Sequence, residues 1–453
     1  MGLPAKTYIG DMRFENYNVL QKKSLNFLDP IANSNKYYTI ELHECNGYYR
    51  VFTDYGRLGV TSTKQVRETD NLFTAQMEFE KILKSKLKKG YKEVELAQST
   101  TGSQKAQELI DTAQIKVTKK SHARKKKSDL DPQIQGFVKQ IFDEAGKKLN
   151  TLVKGDIGAD GASPLGKLSV NQIDKGRSIL QEIADVIVYK KDEITINDVL
   201  SLSSEYYANI PKVFGRRVTP QMVAIASSDK LSEELDILKF YEDSLRMGNI
   251  IYDTENLDKQ YQSLNSNIGI LDPSSDKYRE IVDYVHNSQS NYHPVNLVVK
   301  QIFTVNQHKA PEFDDSMGNV KELFHGTRSA NMPGILSTHL KLPNQLHGVH
   351  ITGAMFGPGL YFSSQSTKSS QYSCSRFGGS ANKYLTSFMF LADVALGRIK
   401  KEEYAKYYLK APAGYHSVMG VKGKSLLHDE YIIYKEAQQH LRYIIEFKAK
   451  SKY

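Results

Sequence analysis

Two stretches of the 453-residue chain hold side chains suited to making and breaking bonds. The first runs as LFHGTRSANMPGIL (323–336) and then TGAMFGPGLYFSSQSTKSSQYS (352–373). In it His325 directly precedes Gly326, and Gly353, Gly357 and Gly359 precede Tyr361. Glycines let a ligand approach the backbone closely, so this spacing suits a pocket wall. The second, SLLHDEYIIYKEAQQHLRYIIEFK (425–448), sets Asp429 and Glu430 at the mouth of an apolar run, Tyr431 to Tyr434. A carboxylate at a strand end beside a pocket is a candidate catalytic group. Each feature is weak by itself. A lone His before Gly is more often a structural hydrogen-bonder, and a lone Glu at a strand start is more often a surface residue.

The elements that must position these residues are legible in part. YYTIELH (37–43) and YYRVFTD (48–54) alternate and flank Asn46-Gly47, a hairpin signal. Tyr55-Gly56-Arg57-Leu58-Gly59 reads as a turn, and residues 64–67 as another strand. Residues 73–89 read as an amphipathic helix with Phe73, Met77, Ile82 and Leu83 on or near one face and Gly90 as its stop. Residues 97–131 are polar and include KKSHARKKK (119–127), a linker by composition or a nucleic-acid or import patch. Residues 132–248 read as mostly helical, with Ile134, Phe137, Val138, Ile141 and Phe142 at helical spacing and further helices over 169–187, 195–209 and 230–248. Beyond residue 255 the pattern mixes a helix over 276–288, a strand from Val295 to Val305, and short β-like runs.

Composition narrows the function classes. Lys plus Arg is 61 against 51 Asp plus Glu, a net charge of +10. Residues 1–130 alone hold 23 basic and 15 acidic residues, so the first third carries +8. That asymmetry suits a polyanion contact or simply a solvated basic surface. Two cysteines, Cys45 and Cys374, exclude a disulfide framework and a Cys-rich zinc site. The longest apolar candidate, Phe388 to Leu396, is short and contains Asp393, so no membrane span is expected, and the chain reads as soluble and intracellular.

Taken together, His325-Gly326-Thr327, Tyr361 in GLYF and Glu430 in DEY resemble the His–Tyr–Glu signature of the poly(ADP-ribose) polymerases. Ser369 and Tyr372 in KSSQY stand where that family has its KSxxY motif, and ALGRI (395–399), HSVMG (416–420) and EYIIY (430–434) have family counterparts. PLGKLS (164–169) and EYYANIP (205–211) resemble the family's regulatory helical domain, and NKYYTIEL (35–42) with YGRLG (55–59) its WGR domain.

The resemblance implies a multidomain α+β chain. A small β-rich WGR-like module spans 1–112, a basic linker 113–130, an all-α regulatory domain 131–250, and an ADP-ribosyltransferase fold with a split antiparallel sheet 251–453. It implies transfer of ADP-ribose from NAD to protein acceptors, the chain itself included, with elongation to poly(ADP-ribose) and stimulation by broken or nicked DNA. The alternatives are a mono-ADP-ribosyltransferase and a weakly catalytic DNA-binding scaffold. Glu430, His325, Tyr361 and Lys368 would be catalytic. His325, Gly326, Asn331, Lys341, Gly353, Tyr361, Ser369 and Tyr372 would hold NAD, and Tyr55, Gly56 and Arg57 would meet DNA. NAD is the substrate, and neither a metal nor a membrane is called for. The expected location is the nucleus of a eukaryotic cell, or the nucleoid of a bacterial one.

Some positions depart from the family pattern. Tyr55 replaces the Trp of WGR, Lys341 an Arg toward the adenosine side, Ala354 an aromatic, and His428 a Tyr two residues before the glutamate. The loop between Gly420 and Glu430 is short, which bears on chain length and branching.

Overall fold

The computed structural model describes residues 3–7, 14, 17–60, 62–95, 128–152, 168–190, 193–247, 256–342, 355–373 and 386–452. Lys119–Lys127, Gly353 and Ala354 lie outside them. The described residues form two compact units, one of residues up to 95 with 148–247, the other of 128–147 with 256–452.

The first unit opens with β1 (Lys6–Thr7), β2 (Asn18–Asp29), β3 (Ser34–Cys45), β4 (Tyr48–Arg57), β5 (Thr63–Thr69), α1 (Leu72–Lys88) and β6 (Lys92–Val94). The strands make one antiparallel sheet in the order β1-β5-β4-β3-β2-β6. Asn46 and Gly47 both take positive φ, as the two-residue β3–β4 turn requires. Side chains alternate across β3. Tyr38, Ile40 and Leu42 join Leu25 and Val51 beneath Ala75, Phe79, Ile82 and Leu83 of α1. The buried face of α1 keeps the expected Ile82 and Leu83 but not Phe73 and Met77, which are 69% and 57% exposed. Tyr55, Gly56 and Arg57 are not a turn either. They end β4, paired with Tyr38, Tyr37 and Lys36 of β3.

Then follow α2 (Pro132–Leu152), α3 (Val170–Lys190), α4 (Ile196–Asn209), α5 (Pro220–Val223) and α6 (Ser228–Met247). Within the first unit, buried amides fasten helices to the sheet. Asn26 Nδ2 donates to the Tyr207 carbonyl (3.0 Å), and Gln172 accepts from the Glu95 N–H (3.0 Å) while donating to the Asn209 carbonyl (2.8 Å). Residues 132–147 of α2 belong to the second unit. Phe137 there packs 5.2 Å from Phe303 and 5.0 Å from Phe388, and Gln140 donates to the Thr386 carbonyl (2.7 Å).

The second unit continues with α7 (Leu257–Ser263), β7 (Ser266–Ile270), α8 (Asp276–Asn287), β8 (Val295–Gln307), β9 (Val320–Gly326), α9 (Met332–Ser337), β10 (Leu360–Phe362) and α10 (Ser366–Ser373). It ends with β11 (Ser387–Ala395), β12 (Ile399–Glu402), β13 (Ser417–Gly420), β14 (Glu430–Ile433) and β15 (Gln439–Ser451). One antiparallel sheet runs β7-β8-β15-β11-β9, and a second runs β10-β14-β13-β12. The multidomain α+β class and the split sheet thus stand, with one exception to antiparallel pairing: β12 and β13 run parallel. Phe324, Met389, Leu391, Ile445 and Phe447 form the core under Ile281 and Val285 of α8. The sheets meet where Phe324 of β9 exchanges both backbone hydrogen bonds with Ser363, at 2.8 and 3.0 Å. That junction carries the site.

Candidate active site

β9 ends on His325 and Gly326 at the outer edge of the five-stranded sheet. Phe324 spends its N–H and C=O on Ser363, away from β11. Strand alternation gives Gly326 the same orientation, so its N–H and C=O also point away from β11, toward the junction. Gly326 cannot be any other residue here. A Cβ would sit 1.8 Å from the Ser369 carbonyl oxygen. The missing side chain lets α10 lie directly against the strand, and α10 brings Lys368, Ser369 and Tyr372 with it. Ser369 Oγ donates to the Phe324 carbonyl (3.1 Å), which fixes the helix on β9.

β10 and β14 pair antiparallel, Tyr361 opposite Ile432. The Tyr361 hydroxyl donates to the Gly357 carbonyl (2.8 Å) and accepts from the Phe356 N–H (3.0 Å). Burial pushes its pKa well up, so it stays a phenol and its ring is what it presents. His325 Nδ1 lies 2.9 Å from the Tyr361 carbonyl. That contact makes Nδ1 the protonated nitrogen and Nε2 the acceptor.

Glu430 opens β14 opposite Gly420 and is buried. Its Oε1 is 2.7 Å from Lys368 Nζ, joining β14 to α10. Burial works against the Lys368 charge, but the Glu430 carboxylate outweighs it and raises the lysine pKa above its ordinary value. Tyr372 is exposed, its ring centroid 5.9 Å from Lys368 Nζ. Asp429 turns elsewhere and accepts the Lys422 N–H (2.7 Å).

The remaining expected residues stand as follows. Asn331 closes a short 3-10 turn and donates to Thr327 Oγ1 (3.4 Å). Lys341 lies in a segment clamped by Glu436, which accepts the Leu342 N–H (2.8 Å) and pairs with His339 Nε2 (2.6 Å). In the first unit, Arg57 donates to the Asn33 carbonyl (2.7 Å), the Asn33 side chain (2.9 Å) and the Gly215 carbonyl (3.3 Å). Tyr55 stacks on Tyr38 at 4.9 Å, with Lys86 Nζ 3.9 Å from the Tyr38 centroid. Burial lowers the Lys86 pKa, and Lys89 and Arg67 add to it.

Sequence reasoning missed His293, far from the motifs in the chain. Its ring lies 4.9 Å from that of His428, within reach of the Lys368 charge. A single sequence carries no signal for such a pairing. Among the described residues, no group of three metal-ligating side chains comes together, and no helix is long and apolar enough to cross a membrane.

Three domain profiles match in chain order: WGR domain over residues 21–98, poly(ADP-ribose) polymerase regulatory domain over 128–269, and poly(ADP-ribose) polymerase catalytic domain over 275–426. Poly(ADP-ribose) polymerase 1 of Xenopus laevis is 29% identical over 94% of this chain and 45% of its own length. Poly(ADP-ribose) polymerase of Sarcophaga peregrina is 29% identical over 97% of this chain and 46% of its own. The chain thus spans about half the length of these two relatives. Protein mono-ADP-ribosyltransferase PARP3 of Homo sapiens is 26% identical over 98% of this chain and 90% of its own length. The chain thus carries a WGR domain, a poly(ADP-ribose) polymerase regulatory domain and a poly(ADP-ribose) polymerase catalytic domain, in this order.

Proposed function

We propose that this chain transfers ADP-ribose from NAD to protein acceptors. The observation that carries the reading is the buried Glu430 carboxylate, paired with Lys368 and set across the sheet junction from His325 and Gly326. Cleavage between nicotinamide and ribose passes through an oxocarbenium-like state. Nicotinamide leaves a pyridinium as a neutral molecule, so no general acid is needed for the leaving group. One carboxylate suffices to stabilise the developing charge, and Glu430 supplies it while binding the ribose 2′-hydroxyl. His325 Nε2 takes a ribose hydroxyl. Gly326 offers its N–H and C=O to the carboxamide, Ser369 adds a hydroxyl, and Tyr361 and Tyr372 stack on the nicotinamide ring. Asn331, Lys341 and Gly353 serve the rest of NAD. The module over 1–112, the linker 113–130 and the helical domain 131–250 serve DNA binding and control, with the catalytic domain over 251–453.

The basic first third, with Tyr55, Gly56 and Arg57, takes the phosphates of broken DNA. Arg57 is committed to Asn33 and Gly215, so a DNA contact by its guanidinium would loosen the sheet from the loop at Gly215. That supports a route from DNA binding to the helices. Elongation to polymer and a nuclear location complete this reading.

A second reading is single-unit transfer. It is favoured by the similarity to the human mono-ADP-ribosyltransferase along 98% of this chain and by the short interval between Gly420 and Glu430. Incubation with labelled NAD, with and without nicked DNA, followed by a sizing gel, tests both. A ladder that grows with DNA supports polymerisation and DNA stimulation. A single labelled band supports the second reading, and no label overturns both.

A further inference from the structure

His428 is a buried residue, and neither of its ring nitrogens has a hydrogen-bond partner among the described residues. Buried polar groups are nearly always satisfied, and an exception calls for an explanation. Its surroundings are built. Ser290 N–H donates to Thr367 Oγ1 (2.8 Å), which stitches the segment before β8 to α10 beside Lys368. That stitch brings His293 to 4.9 Å and exposed Tyr292 to 5.9 Å from the His428 ring. His428 stands two residues before Glu430, in the bend that leads into β14, and its ring packs against the segment that Thr367 fastens to α10.

The reaction proposed above leaves one proton unassigned. A carboxylate acceptor carries none, whereas an alcohol acceptor must lose one as its oxygen bonds to the ribose C1′. Glu430 is already engaged, by the Lys368 ammonium at 2.7 Å and, in the reading above, by the ribose 2′-hydroxyl. Lys368 is charged and Tyr361 is a phenol tied to its own loop. We propose that His428 is the base that takes the proton from a hydroxyl acceptor, which makes this site competent for alcohol side chains.

The inference rests on the ADP-ribosyl transfer reading. In the step, the acceptor oxygen forms its bond to C1′ and the C1′–N bond breaks. Its electron pair goes to the nicotinamide nitrogen, and the O–H proton goes to His428 and then to solvent. The groups facing His428 are Lys368 from α10, Lys422 from the turn after β13, Asp429 beside it, and His293 with Tyr292 from the segment before β8. Burial lowers its pKa, Lys368 and Lys422 lower it further, and Asp429 opposes them. The imidazole is therefore neutral at pH 7 with a lone pair to offer.

The test is automodification of the full chain with labelled NAD, followed by neutral hydroxylamine, which releases esters on Asp and Glu but not O-glycosidic links to hydroxyl side chains. Wild type should carry hydroxylamine-resistant label. His428→Gln should reduce that label about 10²-fold, the usual reach of a general base, with the labile label falling far less. The acid limb of the resistant fraction, which lies below the ordinary imidazole value of about 6.5, should disappear with it. His428→Phe keeps a ring against His293 and Tyr292 and should give the same split, which separates lost chemistry from lost folding. Resistant label that survives both variants, or resistant and labile label falling together, overturns the proposal. So does a wild type that labels only carboxylates, while the transfer reading stands. A wild type that transfers nothing overturns that reading as well.

Discussion

Two buried histidines occupy opposite conditions in this molecule. In the first unit His43 sits between Glu41 and Arg50, Nε2 donating to Glu41 (2.8 Å) and Nδ1 accepting from Arg50 Nε (3.2 Å). All three are essentially inaccessible. The Arg50 guanidinium lies 4.2 Å from the Phe14 centroid, and His43 stacks on Tyr17 at 4.1 Å. In the second unit His428 has both nitrogens unpartnered among the described residues, beside a charge pair that joins two elements. A satisfied buried network specifies a fold, while an unsatisfied one next to a carboxylate is available for chemistry. Variants of the first cluster should therefore move stability and leave the site's geometry alone, and variants of the second should move rate.

The largest effect is expected at Arg50. Arg50→Ala leaves Glu41 and His43 buried without their cation, and breaking a buried pair this way costs about 3–5 kcal/mol. Urea unfolding followed in the first unit should show the unfolding free energy fall by that amount, read as a lower midpoint at unchanged slope. A loss under about 1 kcal/mol would mean that Lys22, 3.5 Å from Glu41, already compensates the charge.

Next is Glu430→Gln. The amide keeps the shape and loses the field, so transfer should fall about 10²–10³-fold. Thermal melting should change little, since Lys368 is only partly buried and can turn to water. Binding of a nicotinamide analogue should persist, because Gly326 and the tyrosines remain. A variant that transfers normally would remove Glu430 from the mechanism.

The two clusters also differ in how much the sequence discloses. Tyr38, Ile40 and Leu42 alternate and Asn46-Gly47 marks the turn, so β3 and β4 are legible. β2 is not, because its buried residues cluster at Ser24, Leu25 and Asn26 rather than alternating along the strand. On α1 only Ile82 and Leu83 of the expected apolar set pack inward; Phe73 and Met77 are apolar yet exposed, while small Ala75 is buried. Residue type outweighed position there. The parallel β12–β13 pair rests on two four-residue strands too short to carry a pattern. The site residues on β9, α10 and β14 are legible as motifs in order. The Glu41–His43–Arg50 network and the His293–His428 pair are not, since cross-strand and long-range contacts leave no local signature.

Acid should separate the clusters further. Burial lowers the pKa of His43, and burial with His428 and Lys368 pushes His293 down to about 4. Unfolded, both titrate near 6.5. Below about pH 6.5 the unfolded chain binds more protons than the folded one, so stability is full above that pH and is lost as pH falls, down to about 4 for the share that His293 carries. Melting temperatures across pH 7 to 4 should decline. His43→Gln should flatten the share that belongs to the first unit's unfolding, and His293→Gln the share that belongs to the second's. An identical decline in both variants would place the acid sensitivity elsewhere.

The smallest effect is expected at Asp429, and it sharpens the contrast with its neighbour. Asp429 and Glu430 are adjacent carboxylates, so a mechanism that needed only negative charge nearby would feel the loss of either. Their geometry differs. Asp429 Oδ1 accepts the Lys422 N–H at 2.7 Å and shapes the turn before β14, whereas Glu430 reaches Lys368 across the junction. Asp429→Asn keeps the acceptor oxygen, so the turn should hold, with a stability change of about 1 kcal/mol or less for a neutral bond replacing a charged one. Transfer at pH 7 should stay within a few-fold of wild type. Asp429 does support the protonated form of His428, so its loss lowers that pKa further and should move any acid limb of transfer to hydroxyl acceptors to lower pH. A collapse of transfer in Asp429→Asn as deep as that in Glu430→Gln would show that net charge at the mouth of β14, not the direction of one carboxylate, drives the reaction.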